Sequence, residues 1–135
     1  MKKKYLPALV MMGIIFIFSS CNADLSAIQS QMVVNYLKEF IPVNSFLVRK
    51  LAHFSLFFVL GFTIYLLTKN YKRTFIITSL YAIGDEVHQY FVPGRSCELR
   101  DVVIDVGGCI TVLIIIKLWR YLNDKRTKNN AKNGR

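Results

Sequence analysis

Four long apolar runs constrain the fold of this chain more than any other feature. They cover about residues 5–21, 50–68, 73–91 and 101–122. Each run is apolar all round, whereas the surface helix of a soluble domain is polar on one side. A helical membrane span needs about 17–25 mainly apolar residues. The sequence therefore predicts an all-α, polytopic membrane protein, in which one membrane domain, residues 1–122, crosses the bilayer with four transmembrane helices.

The first run has two interpretations. Three lysines at positions 2–4 precede about 14 uncharged residues, which is short for a span and typical of a secretory signal peptide. If Ser19, Ser20 and Cys21 are included, the stretch reaches about 17 residues, enough for a thin span. We expect an uncleaved helix, and both interpretations place Cys21 outside the cell.

The distribution of charge predicts the topology. Of the 18 basic residues, thirteen lie at the amino end, in the 69–73 connection or from residue 117 onward, together with one of the eight acidic residues. The remaining segments hold five basic and seven acidic residues. By the positive-inside rule both termini lie in the cytoplasm (N-in/C-in), and residues 22–49 form an outer loop. Residues 123–135 are predicted to be a disordered, basic cytoplasmic tail.

The net charge of +10 also raises the question of a nucleic-acid partner. A nucleic-acid-binding surface combines basic residues with aromatic side chains that stack on bases. Here the charge lies in the tails and one short connection instead. We therefore expect membrane lipids as partners and no nucleic acid.

Two further helical faces are predicted. The outer loop is expected to contain a short amphipathic helix that lies at the membrane interface, binds no ligand and ends before Pro42. The apolar face of this helix consists of Val33, Val34, Leu37, Phe40 and Ile41. In the fourth span, Gly107, Gly108 and Thr111 give a small-residue face on which another helix can pack closely.

Two adjacent carboxylates, Asp85 and Glu86, lie near the end of the third apolar run. An acidic residue at the centre of a membrane helix costs about 2.5–3.5 kcal/mol, so such groups usually face protein partners or water. The following Pro93-Gly94 pair predicts a turn, because proline presets the bend and glycine accepts a positive φ. Polar chemistry therefore enters the membrane at one hairpin, where we expect the function to lie.

In the predicted topology, the charged ends of two other spans meet this hairpin. Lys50 and His53 lie at the outer end of the second span, while Asp101 and Asp105, four residues apart, share one face of the fourth. The acidic groups are expected to point inward, and their expected cationic partners are Lys50, Arg95 and Arg100. The candidate ligand-binding residues are Lys50, His53, Asp85, Glu86, Gln89, Arg95, Asp101 and Asp105.

These residues allow three interpretations. One is a buried ion-pair network that fixes helix register, a use attested for buried charge. The others are a binding site and a catalytic site. We predict no catalytic residue, no metal site and no cofactor. His53 is expected to be a hydrogen-bonded packing residue rather than a metal ligand, and Cys109 is expected in the core.

Three spaced motifs resemble the pattern of VanZ-like membrane proteins. They are Lys50-x-x-His53-Phe54, Asp85-Glu86-x-x-Gln89-x-Phe91-x-Pro93-Gly94-Arg95, and Asp101-x-x-x-Asp105-x-x-Gly108. The Ile17–Ser20 end of the first span is also similar, so the resemblance covers about residues 5–122. It implies a small polytopic protein of the bacterial envelope. The family's namesake is associated with low-level resistance to the glycopeptide teicoplanin, and relatives with other surface-acting peptides or lipopeptides. Asp105 stands where many relatives have asparagine.

Two functions follow. The first is a non-enzymatic binder, in which Lys50 and Arg95 hold the phosphate or carboxylate of a lipid-linked cell-wall precursor or a peptide antibiotic. The alternative is an intramembrane metal-dependent transferase or hydrolase that acts on a lipid headgroup. Asp101-x-x-x-Asp105 resembles the later aspartate pair of membrane phosphoalcohol transferases, and carboxylates suit Mg²⁺. The earlier half of that motif is missing from this sequence.

Overall fold

The computed structural model describes residues 4–133, which form five helices and no β-strand. The helices are α1 (Leu6–Ser19), α2 (Ala23–Leu37), α3 (Ser45–Thr68), α4 (Tyr71–Tyr90) and α5 (Leu99–Asn133). The predicted all-α fold is confirmed over this range. Lys2, Lys3 and the last two residues of the predicted tail lie outside the described residues.

Two of these helices are long and apolar enough to cross a membrane by themselves, α3 and the first 32 residues of α5. The chain bends by 105° between α1 and α2, so this pair is either a broken span or a re-entrant segment. The number of spans is therefore two, or three if the pair forms one span. α4 has 20 residues, but it carries basic residues in its first turn and Asp85 and Glu86 near its other end, so its composition alone does not mark it as a span. The helices indicate a membrane protein.

Three asparagines determine where helices begin. The side-chain oxygens of Asn22, Asn44 and Asn70 each accept a hydrogen bond from a backbone N–H three residues later, at 2.8–3.0 Å. An asparagine cap satisfies one of the amide groups that the first helical turn leaves without a partner. For this reason α3 begins at Ser45, one turn before the expected start, and carries Arg49, Lys50 and His53 within its first turns.

α3 is the central helix and contacts all four others. Its closest neighbour is α5, because Gly108 lets the two backbones touch. A Cβ atom at Gly108 would lie only 2.9 Å from the amide nitrogen of Phe58 and would overlap the carbonyl oxygen of Phe54. The predicted small-residue face of the fourth span is thus confirmed at Gly108.

α2 differs from the predicted amphipathic helix in extent and in orientation. It begins at Ala23 and ends at Leu37, so Phe40 and Ile41 lie beyond it and are exposed. Its buried face is Ser26, Ser30 and Val34, which recur every four residues. Small serine side chains allow a close approach and can hydrogen bond, whereas most of the apolar side chains remain on the outside of the molecule.

α5 continues well past the predicted end of the fourth span. The prediction of disorder from residue 123 is wrong for the described part of the tail, which is helical as far as Asn133. An established helix extends readily, because each added residue gains a hydrogen bond without a new nucleation step. The sequence from residue 123 to 133 contains no proline or glycine that would stop it.

Candidate functional site

The polar residues gather at one end of the helix bundle, which we call the polar end. Here the carboxyl-terminal ends of α1 and α4 meet α2 and the amino-terminal turns of α3 and α5. Residues 91–98 connect α4 to α5 across this end. All eight residues of the predicted site lie here, on α3, on α4, in this connection or on α5.

α4 contributes three buried polar side chains from adjacent turns: Asp85, Glu86 and Gln89 are each less than 5% exposed. Asp85 Oδ2 accepts hydrogen bonds from Ser19 Oγ at 2.7 Å and from Gln89 Nε2 at 2.9 Å. Glu86 Oε2 accepts one from the backbone N–H of Glu98 at 2.9 Å, whereas no described residue gives Glu86 Oε1 a hydrogen bond. These bonds tie the end of α4 to α1 and to the connection.

The connection makes the predicted turn. The Arg95 N–H donates to the Val92 carbonyl at 3.1 Å, and Gly94 has a φ of +76°. The turn contacts α2, since the Ala23 N–H donates to the Pro93 carbonyl at 3.3 Å. A side chain at Gly94 would meet Ala23 as well as adopt an unfavourable backbone conformation. The turn therefore fixes the direction in which Arg95 points.

Arg95 reaches inward to uncharged partners. Its guanidinium donates to Gln89 Oε1 at 2.6 Å and to Ser26 Oγ at 2.9 Å. Partial burial lowers the pKa of Arg95, and the positive charge of Arg49 lowers it further. An arginine nevertheless keeps its proton in proteins. Within residues 4–133, no carboxylate oxygen lies within 4.0 Å of Arg49 or Arg95, so both carry a cationic charge without an ion-pair partner.

Two ion pairs lie nearer the surface. Lys50 on α3 binds the Asp101 carboxylate on α5, with both side chains less than one-fifth exposed. Arg100 pairs with Glu98 at 2.6 Å in a more exposed position. Hydrogen bonds from Arg100 and Ser96 hold the pKa of the Glu98 carboxyl below its usual value. The first pair joins the two most closely packed helices at the polar end.

The innermost group consists of His53, Asp85 and Asp105. His53 Nδ1 lies 3.6 Å from Asp105 Oδ1, too far for a hydrogen bond. Asp105 is fully buried, and within residues 4–133 neither of its carboxylate oxygens has a hydrogen-bond partner. Over the same range His53 Nδ1 is also buried without one, so the prediction of a hydrogen-bonded packing histidine is wrong at this nitrogen.

The expected pairing of acids with cations is therefore confirmed only for Asp101. Among the described residues, no lysine or arginine nitrogen lies within 4.0 Å of Asp85, Glu86 or Asp105. Lys50 pairs with Asp101, Arg100 pairs with Glu98, and Arg95 donates to neutral side chains. Asp101 binds Lys50 and Asp105 faces His53, so the two aspartates of the fourth span have different partners.

Two adjoining cavities open at the polar end. The larger, about 380 Å³, is mainly apolar and lies between α2 and α3, where Val33, Val48 and Leu56 contribute to its wall. The smaller, about 220 Å³, is mostly polar and is lined by Lys50, Gln89 and Asp101 among others. Three residues line both cavities: Arg49, His53 and Arg95. The cationic side chains thus stand at the boundary between an apolar and a polar space.

Three residues of this arrangement were not among the predicted site residues: Ser19, Ser26 and Arg49. Through Ser26, the helix α2, which was expected to bind no ligand, contacts Arg95 of the candidate site. The signal for the serines was weak, since each is a single hydroxyl within a helical segment. His88 on α4 contacts α1, where its ring stacks on that of Phe16 with a centroid distance of 4.5 Å.

A family model described as VanZ/LLP1 matches residues 5–120. The chain belongs to the VanZ/LLP1 family. The match confirms the resemblance drawn from the spaced motifs, and it includes the whole polar end of this VanZ/LLP1 protein. No curated protein and no solved structure shows a significant match to the chain.

Proposed function

We propose that this VanZ/LLP1 protein crosses the bacterial cell membrane with four helices, with both termini in the cytoplasm and the polar end facing outward. The thirteen-to-one excess of basic over acidic residues at the opposite end supports this orientation. α4 completes the four spans despite its acidic end, because Asp85 and Glu86 face protein partners there. Hydrogen bonds from neighbouring groups reduce the cost of placing such side chains at membrane depth.

The polar end binds an amphipathic ligand with an anionic headgroup, either a membrane lipid or a lipid-linked cell-wall precursor. The junction of the two cavities at Arg49, His53 and Arg95 carries this proposal. An apolar cavity of about 380 Å³ suits a hydrocarbon chain and falls within the range typical of ligand pockets. The adjoining polar cavity suits the headgroup, for which two guanidinium groups without ion-pair partners offer bidentate hydrogen bonds.

Through this binding the protein contributes to resistance to glycopeptides or other surface-acting antibiotics. The association of the family's namesake with teicoplanin supports this part of the proposal. A protein that binds an anionic envelope component at the outer surface is placed where such drugs act. No catalytic step is needed for that role.

Binding can be tested with purified full-length protein in zwitterionic nanodiscs, with a polyprenyl phosphate as the probe. We expect this probe to raise the unfolding temperature, whereas the polyprenol of equal chain length and inorganic phosphate have much smaller effects. A charge-assisted hydrogen bond contributes about 1.5–3 kcal/mol, so Arg49→Gln and Arg95→Gln should each weaken binding by about 10-fold or more.

Arg100→Gln is the matched control, because it removes the same charge at the same end from a residue that lines neither cavity. Equal loss of binding in the Arg100 variant would indicate only a general effect of charge. Equal binding of the polyprenol would show that the phosphate is not recognised. Either result would contradict the proposed headgroup site.

The resistance role is tested by expression in a susceptible bacterial host. Arg95→Ala should abolish any protection against teicoplanin, while the amount of protein in the membrane, measured by quantitative blotting, falls little. Asp85→Asn and Glu86→Gln should behave in the same way, because no lysine or arginine nitrogen among the described residues lies within 4.0 Å of either acid, so neutralisation strands no basic side chain. Loss of protein in step with loss of protection would instead mean that the cluster serves only to hold the fold together.

A further inference from the structure

The innermost group of the polar end has the composition of a metal site. One imidazole nitrogen of His53 and one carboxylate oxygen each from Asp85 and Asp105 all lie within 4.8 Å of one another. Ligands at about 2.0–2.2 Å from an ion stand roughly 3.0–3.6 Å apart. The 3.6 Å between His53 Nδ1 and Asp105 Oδ1 is close to that range, and small side-chain movements would bring in Asp85.

Asp105 provides independent support for a bound cation. It is fully buried, both of its oxygens lack hydrogen-bond partners among the described residues, and Oδ1 lies 3.6 Å from His53 Nδ1, which lacks one too. A buried polar group without a partner is unfavourable, and more so when it is charged. A cation that binds Asp105 and His53 would satisfy these atoms and neutralise the carboxylate.

Asp85 is held in the manner of a metal ligand. Both hydrogen bonds that it accepts, from Ser19 and Gln89, go to Oδ2. Oδ1 is left for another partner, and the carboxylate is fixed in orientation. Outer hydrogen bonds of this kind commonly orient the carboxylates that bind metal ions.

Charge and ligand type indicate the class of ion. A divalent cation would neutralise Asp85 and Asp105, which have no lysine or arginine within 4.0 Å among the described residues. Mg²⁺ and Ca²⁺ favour sites made of oxygen atoms alone, whereas an imidazole with two carboxylates suits Zn²⁺ or Mn²⁺. His53 also lines both cavities, which leaves one side of such an ion open to them.

We propose that His53, Asp85 and Asp105 bind one divalent transition-metal ion inside the helix bundle, between α3, α4 and α5. This site goes beyond the proposed function and does not depend on it. A metal assay without any lipid phosphate tests the site by itself.

The test uses the full chain, purified in detergent with an affinity tag that contains no histidine. Elemental analysis should find about one zinc or manganese ion per chain. After treatment with chelator, ZnCl₂ should raise the unfolding temperature by several degrees, whereas MgCl₂ should have little effect. Absence of bound metal, together with no response to Zn²⁺ or Mn²⁺, would overturn the proposal and leave a His53–Asp105 ion pair as the explanation.

Four variants locate the ion. His53→Gln and Asp105→Asn should lose both the metal and the thermal response, and His88→Gln should keep them, since it changes the chain's other histidine, which lies outside the cluster. His53→Cys supplies a different ligand atom and separates ligation from folding. With Co²⁺ it should add thiolate-to-metal absorption in the near ultraviolet. Metal retained equally in all the variants, or cobalt bound without that absorption, would place the ion elsewhere and refute the site.

Discussion

Replacement of Gly108 by alanine provides the sharpest test of the packing that assembles the polar end. The new Cβ would lie 2.9 Å from the amide nitrogen of Phe58, whereas ordinary contacts begin at 3.4 Å. It would also lie 3.2 Å from the carbonyl carbon of Phe54. Because these are backbone atoms in the middle of α3, no rotation of a side chain can relieve the overlap. The Phe54 carbonyl oxygen would be closer still, so α3 and α5 must separate by more than about 0.5 Å, the difference between 2.9 and 3.4 Å.

Overpacking of a close interface costs about 1–3 kcal/mol, a large fraction of a total stability of about 5–15 kcal/mol. We therefore expect Gly108→Ala to lower the unfolding temperature of the purified protein in detergent, followed by helical circular dichroism, by several degrees. The same separation would lengthen the Lys50–Asp101 ion pair and the approach of His53 to Asp105, since both link α3 to α5. We therefore expect Gly108→Ala to weaken the binding of the ligand and of the metal ion as well as to lower the stability of the protein.

Gly107→Ala is the matched control on the neighbouring residue. Its Cβ would meet only the Phe54 ring, at 3.8 Å, which is an ordinary contact. Alanine also favours a helix over glycine by about 0.8–1.0 kcal/mol, so this variant should be as stable as the original protein or more so. If Gly108→Ala and Gly107→Ala unfolded at the same temperature, α3 and α5 would not be in backbone contact at Gly108.

Three further predictions concern topology, processing and the turn. Reporter fusions after Lys69 and at Arg135 should be cytoplasmic, and one within residues 22–44 external; an external carboxyl terminus would rule out four spans with both termini in the cytoplasm. Because the first helix is expected to remain uncleaved, Cys21 should carry no lipid. If mass spectrometry showed that the mature protein begins at an acylated Cys21, α1 would be cleaved off. Gly94→Ala should cost about 1–2 kcal/mol from its φ of +76° alone, with added steric overlap, and should lower the unfolding temperature. Gly13→Ala should not lower the unfolding temperature, because a Cβ at Gly13 meets no described atom within 4 Å. Equal unfolding temperatures for the Gly94 and Gly13 variants would contradict the turn.

The sequence determined the helices and the chemical character of one end of the bundle. Apolar runs and the Pro93-Gly94 turn act over a few residues, so their effects can be predicted from local spacing. The cluster from Asp85 to Arg95 could be recognised in the same way, because buried carboxylates in an apolar helix need partners. The close approach at Gly108 could also be predicted, since only small residues permit it.

Only the tertiary structure decided which groups are partners. Ser19 and Asp85 are 66 positions apart, and Ser26 and Arg95 are 69 apart, so their contact depends on how three helices are rotated and shifted against one another. A shift of one residue turns a helical side chain by about 100° and moves it about 1.5 Å along the axis. Local sequence does not set those two quantities for a pair of distant helices. Packing around α3 therefore left Asp105 facing His53 and directed Arg95 to neutral side chains, where spacing had predicted ion pairs.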